Sequence, residues 1–162
     1  MLVRVDDHDV TDRIRDPDLT AKVRYIAGAA SVRQQLVTMQ RGFASRHAKI
    51  VTEGRDQGTV VFPDAKVKFY LTADPDERTR RRAAELQAKG VAVDLEEIRR
   101  SIESRDQSDE NRAVGPLKLA QDAIMLDTTR LTVEEVVERI CLRVQEQGRP
   151  SQAKPAQEAE SL

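Results

Sequence analysis

Apolar residues recur at helical spacing most clearly near the end of the chain. Val133, Val136, Val137, Ile140, Cys141 and Val144 fall at i, i+3, i+4, i+7, i+8 and i+11, one stripe of a helix. Thr132 and Glu135 stand before that stripe with capping-box spacing. Cys141 lies on the stripe and is therefore expected in the core. Helical spacing also predicts a helix over Leu19–Ala30 and a second over Ser31–Ala44. In the second, Val32, Leu36, Met39 and Phe43 repeat and Ser31 with Gln34 has capping-box spacing. Asp74-Pro75-Asp76-Glu77 supplies an N-cap acid, a proline at the first helical position and a glutamate three after the cap, so a helix should run from there to Lys89 and stop at Gly90. Asp94 with Glu97 opens another, expected to reach about Ser108.

Between the helices lie short strand-like runs. The opening LVRVDDHDV alternates around a polar turn and predicts a strand or hairpin. Lys49–Thr52 (KIVT) is β-branched. Lys66–Thr72 (KVKFYLT) alternates, with Val67, Phe69 and Leu71 on one face. Ala123–Asp127 (AIMLD) is apolar almost throughout, as a buried parallel strand would be. Strands alternating with helices predict an α/β layer fold around a parallel sheet.

Composition adds further constraints. The 162 residues suffice for one domain, and a net charge of −1 provides no overall field to recruit nucleic acid or an anionic membrane. Of the 27 basic residues 20 are Arg, whose planar fork pairs bidentately with phosphate, although genomic base composition accounts for such a bias equally well. One cysteine excludes an intramolecular disulfide and any cysteine-cluster metal site. No apolar run approaches a membrane span, and no secretory pattern follows Met1, so a cytoplasmic protein is expected.

Three arginine-bearing segments could carry chemistry. Glu53-Gly54-Arg55-Asp56-Gln57-Gly58 directly follows a predicted strand, where ligands bind in open α/β sheets; Arg55 could grip a phosphate and Asp56 could accept from a base or sugar. Taken alone, this short motif reads more simply as a surface turn with an internal ion pair. Arg78, Arg81 and Arg82 share one helix face at i, i+3 and i+4, which suits either a polyphosphate or a solvated face balanced by Glu77 and Glu85. Arg105, Asp109 and Arg112 would set two guanidiniums about one carboxylate, either for a ligand or as a plain salt-bridge ladder. Arg33, with Gln34, Gln40 and Arg41 near it, carries no local sign of function. His8 and His47 lack metal-ligand spacing and are expected in solvent. No glycine-rich GxxxxGK[ST] loop occurs, and neither GxGxxG, GxSxG nor HExxH is present.

Longer strings change the weighting. EGRDQGTVVFPDAKVKFYLTADPDERTRRRAAELQAKG, ESRDQSDENRAVGPLKLAQDAIMLDTT, the pairs Val32-Arg33 and Gln40-Arg41-Gly42-Phe43, and LTVEEVVERI together resemble the bacterial cytidylate (CMP/dCMP) kinase family. The resemblance covers Val3 to about Val144. It implies a three-layer α/β/α fold of the P-loop nucleoside-monophosphate-kinase type and ATP-dependent phosphoryl transfer to CMP or dCMP, with Mg²⁺ accompanying ATP. It also implies a monomer that binds neither nucleic acid nor membrane. By the same analogy Arg33, Arg55, Asp56, Arg105, Asp109 and Arg112 would bind the acceptor nucleotide. Arg78, Arg81 and Arg82 would belong to a lid over the transferring phosphates.

In that family the P-loop lies ahead of the segment that residue 1 matches. The expectation is thus an incomplete domain over 1–146, followed by a disordered tail over 147–162. Within it, 1–48 would be the remainder of a CMP-binding insertion, 49–77 core sheet, 78–112 lid, and 113–146 core strand and last helix. Without a P-loop the chain is expected to have little kinase activity by itself; a non-catalytic CMP-binding module is the alternative.

Overall fold

A computed structural model describes residues 2–16, 19, 22–23, 26 and 28–148. The expected helix over Leu19–Ala30 and the tail beyond Gly148 lie largely outside them. In chain order the elements are β1 (Arg4–Val5), β2 (His8–Asp9), a 3₁₀ turn (Arg13–Arg15), α1 (Ala30–Ala44), a π-helical turn (Gln57–Val61), β3 (Phe69–Thr72), α2 (Pro75–Ala88), α3 (Leu95–Asn111), β4 (Ile124–Asp127) and α4 (Val133–Gly148). β3 and β4 pair in parallel, with Phe69 opposite Ile124 and Thr72 opposite Asp127. α2 and α3 form the crossover between them, as a parallel pair requires. The α/β class holds.

Local signals account for the helix ends. Asp74 caps α2 by accepting from the amides of Asp76 and Glu77, with Pro75 at the first position. At the other end the Val91 amide reaches Leu86 O and the Gly90 amide reaches Gln87 O, with Gly90 at φ +74°, a Schellman stop. Asp94 caps α3 in the same way as Asp74 caps α2, and α3 runs three residues past the expected end to Asn111. The capping box of α4 is reciprocal: the Glu135 amide donates to Thr132 Oγ1 at 3.2 Å and the Thr132 amide to Glu135 Oε2 at 2.8 Å. β1 and β2 form the expected hairpin, turning through Asp6 and Asp7, both at positive φ.

Several expectations are corrected. Ser31 does not cap α1; the helix starts from extended Ala29 without a side-chain cap, so Ser31 and Gln34 sit inside it. KIVT is not a strand, because no strand lies beside it among the described residues and a strand exists only as part of a ladder. Val51 is fully exposed. The alternation over 66–72 does not translate into one buried face: Val67 and Phe69 are half-buried, and so are Tyr70 and Thr72 on the other side. Lys68 is buried because its Nζ meets both oxygens of Asp122 at 2.8 Å and the carbonyl of Pro63, whereas Leu71 is 53% exposed. β4 is likewise open on one side, with Met125 59% exposed. Cys141 is exposed, not core, and Val133, Val137 and Val144 on the same stripe are also exposed, since no element among the described residues packs over them. His8 and His47 are exposed as expected. α4 continues through 147–148, where a tail was expected.

Buried apolar side chains among the described residues are Val61 in the π turn, Ala83 on α2 and Ile98 on α3. Val61 is the deepest, so the segment carrying the Gly-Arg-Asp motif is anchored at its far end by packing.

Candidate functional site

Asp56, the residue before the π turn, is 4% exposed. A carboxylate so buried must be paired. Arg33, on the first full turn of α1, donates to Asp56 Oδ2, and Arg112, just past the end of α3, places Nη2 3.8 Å from Asp56 Oδ1. Arg112 Nη1 also lies 3.8 Å from Asp109 Oδ1. Arg55 Nε is 2.8 Å from Asp109 Oδ2, and Arg105 Nε is 3.9 Å from the same oxygen. The structure thus brings all six expected acceptor-site residues (Arg33, Arg55, Asp56, Arg105, Asp109 and Arg112) into one connected cluster.

Its charge is unbalanced. Four guanidiniums face two carboxylates, an excess of two positive charges. Arg112 Nη2 and Asp109 Oδ2 are buried without a hydrogen-bond partner, the nearby opposite charges being out of alignment. The orphaned Arg112 donor beside surplus cations forms a place where an anion with several acceptor oxygens gains both charge and a hydrogen bond.

Neighbouring backbone shapes the cluster. Gly115, at φ +59°, passes so close that a Cβ there would overlap Asp56 Oδ2 and the Arg33 guanidinium, and its carbonyl accepts from Arg112 Nε. The π turn packs against α1, where Arg41 Nε donates to Val61 O at 2.8 Å and Nη2 to Val60 O at 2.7 Å.

Sequence comparison decides the relationship. The family model for cytidylate kinase matches residues 2–146. A cytidylate kinase of Desulforamulus reducens is 49% identical over 138 residues, 85% of this chain and 62% of the relative. That of Salinibacter ruber is 46% identical over 151 residues, 91% of this chain and 66% of the relative. A bifunctional pantoate ligase/cytidylate kinase of Prochlorococcus marinus is 46% identical over 139 residues, 27% of its length. The chain belongs to the cytidylate kinase family. It spans less than two thirds of the length of the first two relatives.

Within this cytidylate kinase family chain, the three expected lid arginines form ion pairs outside the cluster, each with its own partner. Arg78 pairs with Asp106 across the α2–α3 interface, leaving its Nε buried and unbonded. Arg82 pairs with Glu85 at 2.6 Å along α2. Arg81 reaches the loop after β4, donating to Thr128 Oγ1 at 3.1 Å, Thr128 O at 2.5 Å and Leu131 O at 3.3 Å, while Glu77 holds its Nε at 2.7 Å. Hydrogen bonds from Arg80 and Arg81 depress the Glu77 carboxyl from its usual 4.5 to about 2.

Sequence reasoning assigned no individual role to two residues that shape this site. Gly115 has no signal beyond being a glycine before Pro116. Arg41 had one: it lies eight residues after Arg33, about two turns further along the same helix.

Proposed function

We propose that this chain carries the acceptor-nucleotide site of a CMP/dCMP kinase, which transfers a phosphoryl group from ATP to give ADP and CDP or dCDP. The carrying observation is the cluster's surplus of two positive charges around a buried, unbonded Arg112 donor. A phosphate monoester bears up to two negative charges near neutral pH and several strong acceptor oxygens. In this reading Arg55, Arg105 and Arg112 meet the acceptor phosphate and sugar, and Asp56 with Arg33 reads cytosine: a carboxylate accepts from the exocyclic amine, and a guanidinium donates to the ring's acceptors. Arg78, Arg81 and Arg82 act as lid cations once each exchanges its present partner for phosphate oxygens.

The residues do not fit a resident metal. Among the described residues no group of three or more His, Cys, Asp or Glu could hold one, and Asp56 and Asp109 are both committed to guanidiniums. Mg²⁺ enters the proposal only as part of the Mg·ATP substrate. These 162 residues contain no GxxxxGK[ST] loop. A phosphoryl-transfer site needs a cradle for the donor phosphates, so the chain by itself should turn over CMP poorly.

The test is CMP-dependent ADP release from Mg·ATP, comparing the chain with a version extended upstream by the P-loop segment of a cytidylate kinase relative. Activity confined to the extended version supports the proposal. Equal activity in the chain alone means that it holds a donor site of another kind. No activity in either, with no CMP binding by calorimetry, removes the CMP reading altogether; CMP binding without turnover in either leaves the non-catalytic binding module.

A further inference from the structure

We propose that Arg41 is a positioning residue for the Asp56–Arg33–Arg112 cluster, acting through the π-helical turn that follows Asp56. The proposal rests on the acceptor-site reading above.

The turn has two ends, and α1 holds both. At the first end Arg33 bonds the Asp56 carboxylate. At the other, Arg41 sends Nε and Nη2 to the consecutive carbonyls of Val61 and Val60. The last carbonyls of any helical turn point away from it without intrahelical donors. A guanidinium fork can satisfy two neighbouring carbonyls at once, which an ammonium on a single point cannot do in the same geometry. Arg33 and Arg41 are about 12 Å apart along α1, a span that the rigid helix fixes.

Widened turns of this kind are unusual and marginal. Here the amides of Val61 and Phe62 reach back to Asp56 O at 3.2 Å and Gln57 O at 2.7 Å. A second tie runs beside the fork: Gln57 Nε2 donates to Gln40 Oε1 at 3.3 Å, and Thr52 Oγ1 donates to Gln57 Oε1 at 2.5 Å. Arg41 remains partly in solvent, so it costs the fold little core to alter it. If the far end of the turn is released, the carbonyl of Asp56 loses the geometry that holds its own residue against Gly115. Asp56 then drifts from Arg33 and Arg112, although none of those residues has been changed.

The experiment uses Arg41→Lys, which keeps the charge and removes the fork, with Asp56→Asn and the double variant, each in the full 162-residue chain. CMP affinity is read by calorimetry and amide exchange at Val60–Phe62 by NMR. Arg41→Lys should speed exchange at Val61 and Phe62 and weaken CMP binding about tenfold, or about 1.4 kcal/mol. In the Asp56→Asn background that loss should shrink to less than about twofold, because the group being positioned is gone.

An Arg41→Lys variant with unchanged exchange and affinity overturns the proposal. So does an equal affinity loss in both backgrounds, which would mark a general structural effect. If the unaltered chain does not bind CMP, the acceptor-site reading fails instead. The positioning claim is then decided by amide exchange and by the Arg33 Nε–H resonance, which must shift in Arg41→Lys for the claim to stand.

Discussion

Glu77 receives hydrogen bonds from both Arg80 and Arg81, and it does so while Arg81 clamps the loop after β4 through Thr128 and Leu131. Its carboxyl is depressed to about 2, first by the Arg80 bond and then by the Arg81 bond. A carboxyl whose folded value lies below its unfolded one stabilises the fold fully above about 4.5, and that contribution disappears as pH falls toward about 2. Glu77→Gln removes the titration. The urea midpoint of the variant should therefore fall less steeply than that of the unaltered chain between pH 4.5 and 2, with the two curves parallel above it. Superimposable slopes across that window would show that Glu77 is not held by these arginines in solution. Asp122 and Asp127 are also lowered, by Lys68 and by Thr129 respectively, so a general acid loss is expected in both proteins and only the difference is diagnostic.

At the scale of elements, α4 offers the cleanest measurement. Its start depends on the reciprocal bonds between Thr132 and Glu135. Thr132→Ala should cost about 1 kcal/mol in chemical denaturation, in the usual range for a lost N-cap of roughly 0.5–2 kcal/mol. A loss below about 0.3 kcal/mol would mean that α4 is fixed by something other than its cap. Caps like this one, and those of Asp74 and Asp94, were legible because each is a contract among residues at most three apart. The hairpin at Val5–His8 was legible for the same reason, although Asp6 and Asp7 take left-handed conformations usually given to Asn-Gly. KIVT failed for the complementary reason. A β-branched run states a preference, but a strand also needs a partner to pair with, and none lies beside 49–52 among the described residues. Ser31 failed because capping-box spacing is indifferent to whether the residue before it has already begun the helix.

The whole molecule adds what no segment contains. Arg33, Asp56 and Arg112 come from α1, the π turn and the end of α3, so their meeting is a property of the tertiary fold. The sequence could nominate them through the resemblance, but the surplus positive charge and the orphaned Arg112 donor appear only once they are assembled. The reverse holds for apolar surface. The stripe on α4 was legible, but its exposure was not, because a stripe does not say whether anything faces it. β3, β4 and α4 enclose an open groove of about 410 Å³, with Phe69, Ile124, Met125, Leu126 and Leu142 on its walls and the charged Arg139, Arg143 and Glu146 of α4 along it. Parallel strands are ordinarily covered on both faces, yet Leu71, Met125, Val133 and Val137 are all more than half exposed. Exposed apolar surface associates in water where it is large enough to form a patch. The 162-residue chain should therefore bind an apolar dye, and its light-scattering mass should rise with concentration. Met125→Lys combined with Val137→Lys should abolish both effects without lowering helix content, because neither side chain is buried where it stands. A chain that stays monomeric and dye-free at high concentration would show that α4 closes over the sheet in solution. The exposed groove would then be the part of the architecture to give up, while the arginine cluster, built from other elements, would stand.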